Sequence, residues 1–348
     1  MQHSKASVNL ASNENPFGPS PKAVAAMREA AARAHLYPDN DATELRQKLA
    51  QHHAVAMEQV LVGAGSTDLI GLLARSLLRP GLNAVTSERS FIVYGMAVRD
   101  AGGDLIEAPV RHDGFDLSAI AGLINAQTRL VFLANPNNPT GTLFDRGATD
   151  DFLNNIASHV TVVLDEAYYD YAQYFATRRS VQYSHSLDYV REGRNVIMLR
   201  TFSKAHGLAG VRVGYALGDP CLLERCTKRR NTYSVSLPAQ AAALAALEDQ
   251  GHVRHAVEVN AVEAERLGDE LLKLGYKIVP TWANFLYCDV GTDADRGARH
   301  LEGEGVLVRP LGPWGAPNAV RITIGTPEQN AELLAAIKKL NTAAAADS

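Results

Sequence analysis

The strongest indication of the fold is a regular alternation of short apolar runs with amphipathic or turn-rich stretches. In a buried, mostly parallel sheet each strand is apolar on both faces and is followed by a crossover helix, which produces this alternation. We therefore expect an α/β fold with a mostly parallel sheet flanked by helices. The runs that predict its strands are residues 83–86, 104–108, 128–133, 160–164, 196–199 and 214–216.

The segment QVLVGAGSTDLIGLLARSLL contains one such unit in full. Its order of a short apolar run, a glycine turn and an amphipathic stretch predicts a strand, a loop and a helix. Two further helices are predicted before it, at residues 21–33 and 43–55.

The pattern changes near Pro238, where a long helix rich in Ala, Leu and Glu is predicted to run past Glu270. After it come the apolar strands YKIVP, NFLYCD, VLVRP and AVRITIG, a helix between the second and third, and a final helix from Pro327. This order is typical of a smaller α+β domain. We therefore predict an N-terminal segment of residues 1–30 that packs with the small domain, a large domain of residues 31–245 and a small domain of residues 246–348.

The composition argues against several classes of function. The 348 residues are 46% hydrophobic and carry a formal net charge of −4 with scattered Lys and Arg, so we expect a folded protein that does not bind nucleic acid. The start lacks the apolar run of a signal peptide and no stretch is long enough to span a membrane, which indicates a cytoplasmic protein. Three cysteines without a CxxC pair, and histidines without metal-binding spacing, predict neither disulfides nor a metal site.

Polar residues that suit catalysis follow several predicted strands, where ligands of open α/β sheets bind. Asn138 follows one strand in LVFLANPNNPTG, and Asp165 follows the next in VTVVLDEAYYDY, shortly before Tyr168. Lys204 and Arg212 lie in TFSKAHGLAGVRVGY, and GAGSTDLI places free N–H groups and two hydroxyls at a helix start, which suits a phosphate. Each of these alone also fits a turn, a helix cap or a solvated lysine.

Together these groups supply what pyridoxal 5′-phosphate (PLP) requires from a protein. Its aldehyde needs a lysine amine, its pyridinium nitrogen needs a carboxylate, and its phosphate needs N–H, hydroxyl and cationic donors. A protonated ring nitrogen makes PLP an electron sink, so that a substrate Cα–H can be removed. We therefore predict a PLP enzyme in which Lys204 forms the Schiff base and Asp165 sets the reactivity.

Seven segments, in this order, resemble those of the fold-type I aminotransferases of classes I and II, and they are most similar to histidinol-phosphate aminotransferases. The resemblance implies a fold like that of aspartate aminotransferase, and transfer of an amino group from a small-molecule donor to 2-oxoglutarate. It also implies a role in histidine biosynthesis, with histidinol phosphate as the first choice of donor and an aromatic L-amino acid as the second. The segments, which extend over residues 8–340, are NLASNENPFGPSP, LYPDND, GAGSTDLI, LANPNNPTG, LDEAYYDY, RTFSKAHGLAGVRVGY and VRITIGT.

The resemblance also implies a role for each matching residue of the cofactor site. Lys204 would hold PLP and carry the proton between the substrate Cα and C4′ of the cofactor, while Asp165 would pair with the pyridinium nitrogen. Asn138 and Tyr168 would hydrogen-bond the 3-oxygen of the cofactor. Tyr94 would stack on its ring, although an aromatic residue in such a run also fits core packing. The residues implied to hold the phosphate are Gly65, Ser66, Thr67, Thr201, Ser203 and Arg212.

Further residues are implied to bind the substrate or to complete the site from a second subunit. Arg321 would grip the substrate α-carboxylate in a bidentate fork, although an arginine on an edge strand also fits a surface charge. Arg309 and Tyr233 are candidates for the distal end of the substrate, with a solvated arginine and a packed tyrosine as the simpler interpretations, and Asn15 is a further candidate. In similar enzymes the tyrosine of the YPD motif, here Tyr37, reaches the phosphate bound by the partner subunit, which implies a homodimer.

Three positions depart from the family pattern and bear on the donor. Thr67 replaces a common Asp, His206 replaces an aromatic residue, and Phe17 replaces a tyrosine whose hydroxyl can help to bind a substrate phosphate. Threonine-phosphate decarboxylases share the lysine, aspartate and phosphate-binding pattern, so a PLP-dependent decarboxylase is the alternative. A PLP-binding transcription regulator would need a DNA-binding domain before the first motif, and a nicotinamide-dependent dehydrogenase would need a complete glycine fingerprint with a distant acidic residue. The sequence favours neither of these two.

Overall fold

The computed structural model describes residues 8–291 and 293–346. Its strands are β1 (Val8–Asn9), β2 (Val60–Gly63), β3 (Asn83–Ser87), β4 (Asp104–Ala108), β5 (Thr128–Ala134), β6 (Thr161–Asp165), β7 (Val196–Thr201), β8 (Gly214–Leu217), β9 (Lys277–Val279), β10 (Phe285–Asp289), β11 (Val306–Leu307), β12 (Arg309–Leu311) and β13 (Ala316–Thr323). Its α-helices are α1 (Pro21–Ala31), α2 (Thr43–His53), α3 (Ser66–Leu77), α4 (Val93–Asp100), α5 (Leu117–Leu123), α6 (Arg146–Asn155), α7 (Tyr169–Arg178), α8 (Ser186–Arg191), α9 (Pro220–Thr227), α10 (Leu237–Leu247), α11 (Gln250–Lys273), α12 (Ala294–Gly303) and α13 (Pro327–Ala346). Short 3-10 helices lie at Met57–Gln59, Ala209–Val211 and Gly312–Trp314.

The first of the two main sheets, which we call the large sheet, has seven strands in the order β2-β8-β7-β6-β5-β3-β4. The run from β4 through β3, β5 and β6 to β7 is parallel, whereas β8 is antiparallel to both of its neighbours. Neighbouring residues of β6 pack in different clusters, Val163 with α3 and α4 and Leu164 with residues near α5 and α6. Helices therefore cover both faces, and the predicted α/β fold is confirmed.

The direction of these strands decides where the loops meet. Because the carboxyl ends of parallel strands share one edge, the residues that follow β2, β5, β6 and β7 lie close together. The reversed β8 begins at that same edge, where Gly214 pairs with Thr201 of β7 and with Gly63 of β2. Arg212, which precedes β8, therefore comes to the loop that carries Lys204.

The second sheet, which we call the small sheet, is antiparallel and has the order β12-β13-β10-β9. Its core is shared with α11, α12 and α13. The N-terminal segment joins this part of the molecule, since β1 pairs in parallel with β11 through Val8 and Val306. Helix α1, however, packs against α10. The domain boundaries given above remain predictions.

Two predicted elements are wrong because the chain changes its packing partner within them. The long helix predicted from Pro238 is two helices, α10 and α11, separated at Glu248 and Asp249. Helix α10 packs against α1, whereas α11 packs against α7, α13 and β9, and the Gln250 side chain caps the carbonyl of Leu247 at 3.0 Å. The predicted strand VLVRP is likewise divided, since β11 pairs with β1 and β12 pairs with β13.

Within residues 8–291 and 293–346, none of the helices is both long enough and apolar enough to cross a bilayer. The same residues contain no group of three or more His, Cys, Asp or Glu side chains arranged to hold a metal ion.

Candidate active site

A cavity of about 490 Å³ opens at the carboxyl edge of the large sheet. The N-terminal segment, through residues 12–14, and the region of the small sheet, through Arg309, Trp314 and Arg321, close its other sides. The residues predicted for catalysis or binding that line it are Ser66, Thr67, Tyr94, Asn138, Asp165, Tyr168, Thr201, Ser203, Lys204, Arg212, Arg309 and Arg321.

Lys204 lies in the loop after β7, where its amine donates to two carbonyl oxygens of the N-terminal segment. The acceptors are Ser12 and Asn13, each at 3.2 Å from Nζ. Burial, with the charges of Arg321 and Arg212, lowers the pKa of Lys204 to about 7. A substantial fraction of this amine is therefore neutral near neutral pH, and a neutral amine is a nucleophile.

Asp165 is the last residue of β6, and its carboxylate is held from both sides. The Tyr94 hydroxyl donates to Oδ2 at 2.9 Å, and the Ala167 N–H donates to Oδ1 at 3.2 Å. Burial raises the pKa of Asp165 to about 6, while these hydrogen bonds oppose the rise. The carboxylate is therefore mostly ionised at neutral pH, in a position suited to a cationic ring nitrogen.

An anion cradle lies beside Lys204, formed by the start of α3 and by Arg212. Arg212 donates from Nη1 to the Ser203 hydroxyl at 3.1 Å, and that hydroxyl accepts a bond from Thr201 at 3.0 Å. A Cβ atom on Gly65 would lie 2.3 Å from Arg212 Nη2, so the loop approaches the guanidinium more closely than a side chain allows. Free N–H groups at the N-terminus of a helix, with a guanidinium and hydroxyls, suit a phosphate.

Arg321 and Asn138, which both line the cavity, are hydrogen-bonded to each other. Arg321 donates from Nη1 to Asn138 Oδ1 at 2.6 Å and from Nη2 to the Ala11 carbonyl at 2.8 Å. Its buried Nε has no hydrogen-bond partner among residues 8–291 and 293–346. The residue is only 6% exposed, so the interpretation as a surface charge is wrong. Arg309 contributes a third guanidinium to the cavity, after those of Arg212 and Arg321, and its Nε lies 3.4 Å from the Ala11 carbonyl.

Sequence reasoning missed Asn13, which links three parts of the site. Its Nδ2 donates to the Tyr168 hydroxyl at 2.9 Å, its N–H donates to Thr323 Oγ1 at 2.8 Å, and its carbonyl accepts from Lys204. Its left-handed backbone (φ 56°) is a conformation that asparagine tolerates better than most residues. The segment SNENP contains two asparagines, and only their contacts separate them.

The candidate from that segment, Asn15, does not line the cavity. It donates to the Ala205 carbonyl at 2.9 Å and accepts from the Phe17 N–H at 3.0 Å, so it fixes the loop that follows Lys204. The substrate-binding role of Asn15 remains a prediction. Phe17 packs against the His255 ring at 5.1 Å between centroids, and His206 against Phe202 at 4.9 Å.

Two predicted residues lie away from the cavity of their own chain. Tyr37 and Tyr233 stack on each other with ring centroids 4.6 Å apart and an interplanar angle of 23°. Their exposed fractions are 81% and 45%, which is unusual for such large rings. They therefore form an aromatic pair on the surface.

The fold and the cavity are those expected of an enzyme that acts on a small molecule. The chain belongs to the family described as aminotransferase class I and II, whose model matches residues 5–337. It is 43% identical over 333 residues to histidinol-phosphate aminotransferase 2 of Pseudomonas fluorescens, an alignment that covers 96% of this chain and 88% of that protein. The family prediction is confirmed, and the protein is an aminotransferase.

Solved structures agree with this assignment. Histidinol-phosphate aminotransferase of Sinorhizobium meliloti, in complex with pyridoxal 5′-phosphate, is 30% identical with a TM-score of 0.87, covering 97% of this chain and 92% of that one. A mutant aspartate aminotransferase of Thermus thermophilus is 25% identical with a TM-score of 0.83, covering 95% of this chain and 96% of that one. The predicted likeness to the aspartate aminotransferase fold is confirmed.

Proposed function

We propose that this aminotransferase uses pyridoxal 5′-phosphate, bonded through Lys204, to move the amino group of histidinol phosphate to 2-oxoglutarate. The observation that carries the proposal is that a lysine amine with a lowered pKa, a buried carboxylate and an anion cradle line one cavity. The sequence identity of 43% to a histidinol-phosphate aminotransferase, over 96% of this chain, supports histidinol phosphate as the donor.

The cavity fits this cofactor group by group. Gly65, without a Cβ, leaves the space that Arg212 and a phosphate would share at the start of α3. Asp165 would hold the proton on the ring nitrogen, while Asn138 and the Tyr168 hydroxyl would bond the 3-oxygen. When bound, PLP supplies an electron sink for the negative charge that develops at the substrate Cα.

Other residues around the cavity would transfer the proton, orient the cofactor contacts and exclude water. Once the amine of the donor has displaced it, the neutral amine of Lys204 would take the proton from the donor Cα and later give it back, so it would act as both base and acid. Asn13 orients the Tyr168 hydroxyl through its 2.9 Å bond. The N-terminal segment and the Trp314 region restrict the access of water to the reacting atoms.

The two guanidinium groups at the Ala11 carbonyl, those of Arg321 and Arg309, suit both substrates of the cycle. Arg321 has two terminal nitrogens in a fork and would bind the α-carboxylate of 2-oxoglutarate. Histidinol phosphate carries a phosphate instead of that carboxylate, and a phosphate that is mostly dianionic is matched by Arg321 together with Arg309. The positive field of Arg309 also contributes to the lowered pKa of Arg321, after burial as the main cause.

We also propose that the active protein is a homodimer in which Tyr37 reaches the phosphate site of the partner subunit. The support is the exposure of the stacked pair formed by Tyr37 and Tyr233, which leaves two aromatic faces available to a second subunit. Because the two rings stack, a subunit that presents Tyr37 presents Tyr233 with it. A cytoplasmic location remains a prediction.

The test of the reaction is a panel of donors with 2-oxoglutarate, followed by measurement of glutamate. We expect the highest kcat/KM with histidinol phosphate and a lower value with aromatic L-amino acids, and we expect Lys204→Ala to lose turnover by several orders of magnitude. Absence of glutamate with every donor would contradict the proposal. Release of carbon dioxide from an amino-acid phosphate without formation of glutamate would instead indicate the decarboxylase.

A further inference from the structure

Tyr94 does not face the cavity as a free aromatic surface. Its side chain is fully buried, and its ring is stacked in parallel on Phe132, with centroids 4.8 Å apart and an angle of 6°. Phe91 meets it edge-on at 5.7 Å. The ring of Tyr94 is thus packed against other aromatic rings. Its hydroxyl makes the polar contact of the side chain and donates to Asp165 Oδ2 at 2.9 Å.

The carboxylate of Asp165 depends on this bond. It is 4% exposed, and apart from the Ala167 N–H, the hydroxyl of Tyr94 is the donor that the described residues give it. A buried carboxylate that loses a donor is destabilised in its charged form. Each carboxylate oxygen has a second lone-pair direction, so the bond from Tyr94 leaves room for a ligand N–H.

We propose that Tyr94 is a positioning residue, whose hydroxyl fixes the Asp165 carboxylate and keeps it ionised for a ring nitrogen that carries a proton. This inference rests on the proposed cofactor site. It differs from a stacking role, because phenylalanine at residue 94 would keep the ring contacts and lose only the hydrogen bond. The hydroxyl is therefore the part of Tyr94 that the site requires.

Other charges also act on Asp165 and stay in place when the hydroxyl is removed. Glu166 raises the pKa of Asp165 and Lys204 lowers it, while burial is the largest cause of the rise. Glu166 itself pairs with Arg200 at 2.9 Å, and the Tyr168 hydroxyl is held by Asn13. Loss of the Tyr94 bond therefore moves the pKa of Asp165 upward from about 6, toward the neutral range.

The experiment compares the wild type with Tyr94→Phe, using pyridoxine 5′-phosphate as the probe. This ligand has an alcohol in place of the aldehyde, so its binding reports the ring and phosphate contacts without a bond to Lys204. We expect binding weaker by about tenfold or more at neutral pH, the equivalent of one charge-assisted hydrogen bond. The acid limb of affinity against pH should also move to higher pH, whereas affinity for inorganic phosphate should stay unchanged.

Two further variants make the result decisive. Tyr189→Phe removes a similar bond, from a buried tyrosine hydroxyl to the Asp150 carboxylate, and should leave binding unchanged because neither residue is among those that line the cavity. In an Asp165→Asn background, Tyr94→Phe should add little further loss, because the amide has no ionised form for the hydroxyl to maintain.

The inference is overturned if Tyr94→Phe binds the probe as the wild type does with the same pH dependence, or if its effect is undiminished in the Asp165→Asn background. Failure of the wild type to bind either PLP or the probe would instead contradict the proposed cofactor. A reduced affinity for inorganic phosphate in Tyr94→Phe would assign the loss to a general disturbance of the cavity, and would also count against the inference.

Discussion

Lys204 and Asp165 show how one physical cause shifts two residues in opposite directions. Burial penalises the charged form of each, so the pKa of the amine falls to about 7 and that of the carboxyl rises to about 6. Near neutral pH the lysine is partly neutral and the aspartate mostly ionised. These are the states that attack on an aldehyde and pairing with a pyridinium nitrogen require.

The first prediction concerns the pH dependence of cofactor capture by the apoenzyme. Because only the neutral Lys204 amine is nucleophilic, the rate of covalent capture should rise with pH and level off above a midpoint of about 7. Stopped-flow absorbance after mixing with PLP measures this rate, and Lys204→Ala should show no covalent phase. A rate that still rose tenfold per pH unit in alkaline solution would indicate an amine with an ordinary pKa, near 10.5.

Among single residues, the sequence predicts those whose functional side chain follows the end of a strand. Asn138, Asp165 and Lys204 could be found because each follows an apolar run. Asn13 could not be distinguished from Asn15, because its role depends on contacts with Tyr168, a residue 155 positions away. The bond between Tyr94 and Asp165 is invisible for the same reason.

Among the elements, the predictions succeeded where one segment has one packing partner. The strands of the large sheet were found because each is buried on both faces. The helix predicted from Pro238 and the strand VLVRP failed because each continues one pattern across a change of partner. Hydrophobic periodicity records that a residue is buried, and it does not record which element buries it.

The second prediction concerns the loop between β7 and β8, which carries Lys204. Gly207 has a left-handed backbone (φ 71°), and a Cβ atom there would lie 2.0 Å from the Gly18 carbonyl oxygen. Gly207→Ala should lower the free energy of unfolding by at least about 1–2 kcal/mol from backbone strain alone, and should weaken PLP binding because the loop must move. Urea denaturation and a PLP titration measure the two effects.

Gly210→Ala in the same loop is the matched control. A Cβ atom on Gly210 meets no atom of the described residues within 4 Å, so stability and binding should stay close to those of the wild type. Equal effects of the two substitutions would show that the close approach to Gly18 does not shape the loop.

In the whole molecule, the cavity belongs to no single part of the chain. The large sheet supplies Asp165, the loop between β7 and β8 supplies Lys204, the N-terminal segment supplies the carbonyls that hold the lysine, and β13 supplies Arg321. In β13, the Thr323 N–H donates to the Leu10 carbonyl and Arg321 donates to the Ala11 carbonyl, so a displacement of the small sheet would carry both Arg321 and the lysine acceptors with it. A dimer that shares Tyr37 would extend this dependence to a second subunit.

The last prediction tests whether Tyr37 of one subunit completes the site of the other, by combining two differently substituted subunits in one dimer. In a hybrid of Tyr37→Ala with Lys204→Ala, the subunit that keeps Lys204 receives Tyr37 from its partner, so one complete site forms and the other lacks both residues. Equal co-expression makes about half of the dimers hybrid, and the expected activity is about a quarter of the wild-type value per chain. Purification through two different tags isolates the hybrid, which should show about half of the wild-type activity. If the hybrid shows no more activity than the mean of its two parental dimers, Tyr37 acts within its own subunit and the proposed arrangement of the dimer is wrong.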